Sequence, residues 1–490
     1  MSRKNKYIGG IVGADPLPSG SPRPGVSNLA ELGADNAFEA PSLDLNFDGQ
    51  LSSFRRASTS PTAAKANGDQ LATDIITCTR STTATYVDSN GVLQTAGVNV
   101  PRVEFDGNGN PLGLLVEEDR TNYLTDSNRG TNQYGNPPAS SFNTTGPDGV
   151  PSSAIAPQPD SSSDRFEWDI AAGTFSNNEI LTLSWHMKPL SGNTPSIYPG
   201  EIRLNSFINM SPGTAYEVRD IGNGWERWAA PVTVTDTTSD QTVRLYFGFP
   251  LQDGSGGWNN DVAYYGFQLE EGEAATSYIP NTATSGTVTR TADDITLSTS
   301  AFGTNRAAST VFVDFSVGKT NVTYPGAFRI DDGSNTNNST LYYDTTSSDL
   351  RYQNKENNVS TLWSIEASVS LPFSRAVAVR ASGTEARPAI DGVLGSTKTL
   401  DAAPSTAFTT LQVGRTGVNQ LNGHVRRFTY FPRAISDASL ATYTGANPPT
   451  IDLDKPTRRW GGITGRSLVD NNALPTTGVL TLAEHYQTKL

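Results

Sequence analysis

The stretch TATYVDSNGVLQTA, residues 83–96, constrains the chain most. Apolar and polar residues alternate on both sides of Asn90-Gly91, a pair that accepts the left-handed backbone of a tight hairpin turn. The pattern recurs. In PRVEFDGNGNPLGLLVEE a Gly/Asn loop at 107–110 separates Arg102–Phe105 from Leu112–Val116, and the residue before Pro111 is biased toward extended backbone. Asp391-Gly392 marks another hairpin turn. Long amphipathic helical patterns are nearly absent. With 45 glycines, 30 prolines and only 36% hydrophobic residues, the short Val/Thr/Tyr/Phe runs predict an all-β chain of sandwiches or barrels.

At 490 residues the chain has room for two to four domains. Residues 1–45, with SGSPRPG at 19–25, read as an extended N-terminal arm, with a short helix within Ser27–Ala40. Strand patterning starts at Leu43, and 46–125 form a hairpin-rich segment. Residues 126–290 begin with polar loops. They continue through RFEWDI, ILTLSWHMKPL, GEIRLNSF, AYEVRDI, GWERWAAPVTVT, TVRLYFGFP and VAYYGFQLEE, enough strands for one sandwich. A threonine-rich linker spans 281–294. Residues 291–446 carry a second set, from STVFVDFSV to GHVRRFTYFP, closed by a short helix with Ser436 as N-cap and Asp437 in its first turn. Residues 447–490 form a C-terminal tail ending in the amphipathic stretch VLTLAEHYQTKL. The expected fold is therefore tandem antiparallel β-sandwiches with extended terminal arms.

Charge narrows the function. The net charge is −13 with no sustained Lys/Arg stripe, which argues against nucleic-acid binding. A single cysteine, Cys78, rules out an internal disulfide framework, and three histidines leave little material for zinc. The N-terminal apolar run Tyr7–Ala14 is short and glycine-rich, unlike a secretory signal, and no stretch approaches a membrane span. A composition typical of exposed extracellular β-proteins without an export signal fits a virus particle, which assembles in the cytoplasm and leaves by lysis.

Two internal echoes organise the chain. GLLVEEDRTNYL at 113–124 and GFQLEEGEAATSYI at 266–279 share a Gly, an aliphatic, Glu-Glu, a turn, and a Tyr-aliphatic pair. The expected plan is a strand that ends in two solvated acids, after which the chain turns and the tyrosine packs back. Glu117 and Glu118 should face opposite sides of the strand. KYIGGIVG at 6–13 echoes RWGGITG at 459–465; Tyr7, Ile8, Ile11, Trp460 and Ile463 are the candidate anchors for docking onto another particle protein.

Several stretches resemble a known group. TRSTTATYVDSNGVLQTAGVNVPRVEF followed by GLLVEEDRTNYL resembles a segment of tailed-bacteriophage virion structural proteins, the tail-fibre and head-fibre-like proteins. YYGFQLEEGEAATSYIPNTATSGTVTRTADD is similar to the end of their jelly-roll modules, related in shape to carbohydrate-binding modules. GHVRRFTYFPRAISDASLATYT resembles the last strand and helix of laminin-G-like or concanavalin-A-like sandwiches. The resemblance covers about residues 75–445. It implies a jelly-roll then a concanavalin-A/laminin-G-like domain in a non-enzymatic virion protein. That protein would be a homo-oligomer, a trimer, in contact with capsid, portal or tail proteins and with host-surface glycans. The alternatives are a purely architectural decoration protein and a glycan-degrading tailspike.

Candidate chemistry divides accordingly. Glycoside hydrolysis needs two carboxylates across one bond; Glu117 with Asp119 is the best pair, yet the second echo has Gly272 in place of Asp119. The G-x-S-x-G elbow of a serine hydrolase is absent, and His186 lies in a strand pattern that suits a structural role. For glycan binding, Trp258 stands among glycines beside Asn259, Asn260 and Asp261, either as a stacking platform or as a loop anchor. Trp363, Tyr342 and Tyr343 are further candidate platforms, and Trp225 with Arg227 reads as core. No cofactor is expected. A structural Ca²⁺ could use oxygen ligands from Asp106 or from Asp331 and Asp332, which otherwise read as ordinary turn residues.

Overall fold

The computed structural model describes residues 41–48, 53–54, 71–127, 142–156, 165–190, 210–212, 217–238, 241–246, 262–283, 285–320 and 322–446. All of them fall in one compact unit, Pro41–Pro449. The C-terminal tail, residues 1–40 of the expected N-terminal arm, the helix expected within 27–40 and the strand expected at GEIRLNSF lie outside the described residues; the arm's last residues, 41–45, are no arm but are buried, with Leu43–Asn46 a strand of a large sheet.

The chain is mostly β, with several antiparallel sheets forming sandwiches. One sandwich is built around the long strands Ile180–Pro189, Trp225–Val234 and Val262–Glu271, which pair side by side. Arg165–Ile170 and Gln241–Tyr246 form a two-stranded sheet. The first strand of that pair brings Phe166, Trp168 and Ile170 into one core with Leu183, Trp185, Trp228, Val232, Phe267 and Leu269. The alternation read from WERWAAPVTV explains the packing. Trp228, Ala230, Val232 and Val234 share that core, and Trp225 faces the other way into a small cluster with Val87, Leu93 and Tyr278.

The other sandwich sets two large sheets face to face. The first contains Ala308–Val317 between Phe373–Ser382 and Gly423–Phe431. The second runs Val359–Glu366, Asp349–Glu356, Asn338–Asp344, Gly326–Asp331, Thr410–Val413, Asp294–Ser298 and Thr77–Thr79. Phe315, Phe328, Leu341, Leu411, Val413, Phe428 and others fill the space between. Each such fully buried side chain contributes about 1.5–3 kcal/mol relative to exposure.

Segments far apart in sequence complete these sheets. The free side of Gly423–Phe431 receives Leu43–Asn46 over one half and Pro111–Val116 over the other. The expected hairpins are present. Ala84–Val87 pairs Leu93–Ala96, and Arg102–Phe105 pairs Pro111–Val116. Asp391-Gly392 links Glu385–Ile390 to Val393–Leu394, both residues with φ near +48° and +85° as a two-residue turn of this kind requires. Ser436 caps the helix Asp437–Thr444 by accepting the Ser439 N–H. Asp437 also pairs with Arg380 and Arg387, tying the helix to the sheet. Among the described residues no helix is long and apolar enough to cross a membrane.

Candidate functional site

The two echoes meet at the joint between the sandwiches. Each begins at a glycine with positive φ, +117° at Gly113 and +63° at Gly266. Each sits at or beside a register shift in its ladder, the mark of a β-bulge. A Cβ at Gly113 would lie 2.5 Å from the Val425 carbonyl oxygen, and one at Gly266 would lie 2.9 Å from the Tyr278 ring. Both positions therefore need glycine for conformation and for space.

The expectation of two solvated acids at each strand end is corrected here. The first acid of each pair is buried: Glu117 is 5% exposed and Glu270 is fully enclosed. The second is not, with Glu118 partly exposed and Glu271 exposed, so the predicted alternation across the strand is present. Sequence reasoning missed the partners. Glu117 Oε2 pairs with Arg102 at 2.8 Å and Arg290 at 3.4 Å, and accepts from Ser277 Oγ at 2.6 Å; Oε1 accepts the Ser277 N–H at 2.7 Å. Arg102 also holds Asp293 at 2.5 Å, and Asp293 holds Arg80 at 2.7 Å. Burial pushes the Glu117 carboxyl up, but Arg290, Arg102 and the Ser277 donors outweigh it and hold the group well below the usual range. The hint was arginine in an apolar strand, as in PRVEF, but nothing in the sequence says which acid it meets.

The second echo binds the first. Asn122 donates to the carbonyls of Phe267 and Ile279 and accepts from the Leu269 N–H. Tyr278 packs back as expected, 1% exposed, with its hydroxyl against Ser127 Oγ; Tyr123 stands edge-on to Phe175. Asp119, the expected partner of Glu117, is exposed while Glu117 is buried, so the two do not share a face.

Beside this knot lies a cleft of about 540 Å³, within the range of small-ligand sites. One wall is the outer face of the first sandwich, where Arg219 stands opposite Arg227 across one ladder and Arg227 opposite His186 across the next. The other wall comes from the second sandwich: Ser316–Lys319, Phe373, Ser374 and Asn422–His424. Most charges there are paired. Glu104 meets Arg219 at 3.0 Å and His424 at 2.8 Å, Lys319 pairs with Glu217, and Arg120 pairs with Glu118. Burial raises the Glu104 carboxyl, but Arg219 and His424 outweigh it and bring it down to about 2. Burial, then Arg227, drives His186 well below its ordinary value, so its ring is neutral, in keeping with the structural role expected of it.

The other candidates sit elsewhere. Trp258, Asn259, Asn260 and Asp261 lie outside the described residues, as do Tyr7, Ile8, Ile11, Trp460 and Ile463. Trp363 is partly buried, edge-on to Tyr352 at 5.0 Å, on the outermost strand of its sheet. Tyr343 is buried with its hydroxyl on the Val369 carbonyl, so it offers no platform; Tyr342 is partly exposed beside Tyr324. Trp225 is core, as expected, but Arg227, read as core with it, is only partly covered and lines the cleft. Asp106 accepts from Asn108 and Asn110 within its loop. Asp331 accepts from Arg329, Gly333 and Gln412, and Asp332 from Ser334 and Asn337. These carboxylates are occupied by turn and ladder donors. Among the described residues no group of three or more His, Cys, Asp or Glu side chains could hold a metal ion.

No family model matches the chain, and no curated protein matches it in sequence. Solved structures give distant likenesses. The CBM40 module of Ruminococcus gnavus IT-sialidase is 15% identical with a TM-score of 0.25, covering 29% of this chain and 84% of that one. The same module has been solved with α2,3-sialyllactose bound. The heptameric SAP-like pentraxin of Limulus polyphemus is 13% identical with a TM-score of 0.24, covering 30% of this chain and 76% of that one. The binding domain of botulinum neurotoxin serotype D is 14% identical with a TM-score of 0.24, covering 29% and 38%.

Proposed function

We propose that this chain is a non-enzymatic structural protein of a tailed-phage particle, an appendage or surface protein whose lectin-like sandwiches contact host-surface glycans. The observation that carries the reading is the cleft at the joint. Its lining is polar, with the Ser316 and Ser374 hydroxyls, the guanidinium groups of Arg120, Arg219 and Arg227, and the carboxylates of Glu104, Glu117 and Glu217, the kinds of donor and acceptor that recognise sugar hydroxyls. The buried ion knot beside it supports the same reading, because it joins segments that adjoin both sandwiches. Glu117 is enclosed by its own donors rather than poised across a bond, which supports binding over hydrolysis. The virion setting, docking through the terminal arms and a trimeric state rest on the sequence resemblance.

The test has two arms. Immunogold labelling of purified particles should place the protein on the head or tail surface; its absence from particles would end the virion reading. A glycan array probed with the full-length protein should show binding that Trp258→Ala weakens. No binding on the array or to host envelope would favour a purely architectural role.

A further inference from the structure

One cation of the cleft stands without a carboxylate at ion-pair distance. Arg120, Arg219, Arg227 and Lys319 line it together with Glu104, Glu117 and Glu217. Arg219 has Glu104, Lys319 has Glu217, and Arg120 has Glu118; Glu117 is held by Arg102 and Arg290, which do not line the cleft. Arg227 is left with no ion pair among the described residues. Its Nη2 donates to the neutral Ser184 Oγ at 3.0 Å, and its Nε is shielded from water with no hydrogen-bond partner. The Arg120 Nε on the same cleft is in the same condition.

Arg219 and Arg227 face each other directly across adjacent strands. Arg219 has Glu104 within ion-pair distance, whereas the acids that act on Arg227, Glu270 and Glu117, do so from farther away. An unsatisfied buried donor is unfavourable, and this one belongs to a side chain that is only partly covered and lines an open cleft.

We infer that the cleft binds a carboxylated sugar residue, with the carboxylate on Arg227 and the sugar hydroxyls on the surrounding neutral groups. The planar guanidinium fork matches a carboxylate. Ser374 and Ser316 supply uncharged hydroxyl groups of the kind sugar hydroxyls need. A phosphate dianion fits less well, since its second charge would face the carboxylates of Glu104, Glu117 and Glu217. This inference rests on the glycan-binding reading and names the sugar class for that site.

Calorimetric titration of the full-length protein tests it. The probes are glucuronate- and galacturonate-containing oligosaccharides, the same oligosaccharides with their carboxyls reduced to alcohols, and inorganic phosphate. Binding is expected to the carboxylated set, to fall at least about tenfold on carboxyl reduction, and to weaken with added salt. Arg227→Gln should lose a similar factor, and Arg227→Lys should recover only part of it because the fork is gone. Should Arg227→Gln fail to fold, Ser374→Trp, an exposed position on the opposite wall, blocks the cleft without touching Arg227. Carboxyl-reduced sugars binding as well as the acids, phosphate binding in their place, or insensitivity to both Arg227→Gln and Ser374→Trp would each overturn the inference. Neutral-sugar binding that persists in those variants would leave the broader glycan reading standing. No sugar binding of either kind would end both.

Discussion

The two Glu-Glu echoes start from nearly the same words and reach opposite electrostatic states. Glu117 and Glu270 both follow a glycine bulge by four residues, and both are buried at a strand end. Glu117 meets two guanidinium groups and is held as an anion. Glu270 meets Thr276 through its hydroxyl and its N–H, and no ion pair; burial raises its carboxyl, and Thr276 and the more distant Arg227 do not offset that. A shared local motif thus places an acid at a strand end, but the partner that reaches it decides whether it carries a charge.

The largest effect should come from breaking the charged member. Glu117→Gln leaves Arg102, Arg290 and Asp293 in a buried cluster short of one negative charge. Loss of one side of such a pair typically costs about 3–5 kcal/mol, read as a drop in the urea midpoint. A cost below about 1 kcal/mol would mean the knot is not holding the joint. Next is the link between the echoes. Asn122→Ala strips partners from two carbonyls and two N–H groups that are buried, and should cost about 2–3 kcal/mol. Smallest is Glu270→Gln, where the amide oxygen can still accept from Thr276; the change should stay within about 1 kcal/mol at neutral pH.

Acid titration separates the pair by sign. Glu270 has a raised folded-state value, so its buried charge burdens the native state near neutrality, and that burden is relieved as pH falls through the raised value. Glu117 has a lowered value, so its stabilisation is full above the ordinary range near about 4.3 and is lost as pH falls toward the lowered value. In wild-type-minus-variant stability curves, Glu270→Gln should remove a gain on acidification from neutral pH, and Glu117→Gln should remove a loss below about pH 4.5. Curves of the same sign would show that the two acids share one environment after all.

Much of the architecture was legible because it depends on neighbours in sequence. Asn90-Gly91 and Asp391-Gly392 specify hairpins through backbone conformation alone. The alternation in WERWAAPVTV separates its two faces, and Ser436 caps its helix with its own side chain. Val359–Glu366 carries a weak strand signal because its apolar residues are half exposed on a sheet edge. The solvation of Glu117 and Glu270 was misread for a related reason: an acid at a strand end beside a turn looks solvated unless a distant arginine or threonine is known to cover it.

By itself the sequence determined an antiparallel β-fold, its hairpins and the paired strand ends, since these follow from side-chain period and turn chemistry. Only the tertiary structure decided that Leu43–Asn46 and Pro111–Val116 share the side of one strand near the far end of the chain. It also decided that Arg80, Arg102 and Arg290 converge on Asp293 and Glu117, and that Arg227 lines a cleft with no acid at ion-pair distance among the described residues. Long-range pairing and charge balance depend on which surfaces are brought within a few ångströms. That distance is set by how two sandwiches pack, and not by the spacing of residues along the chain.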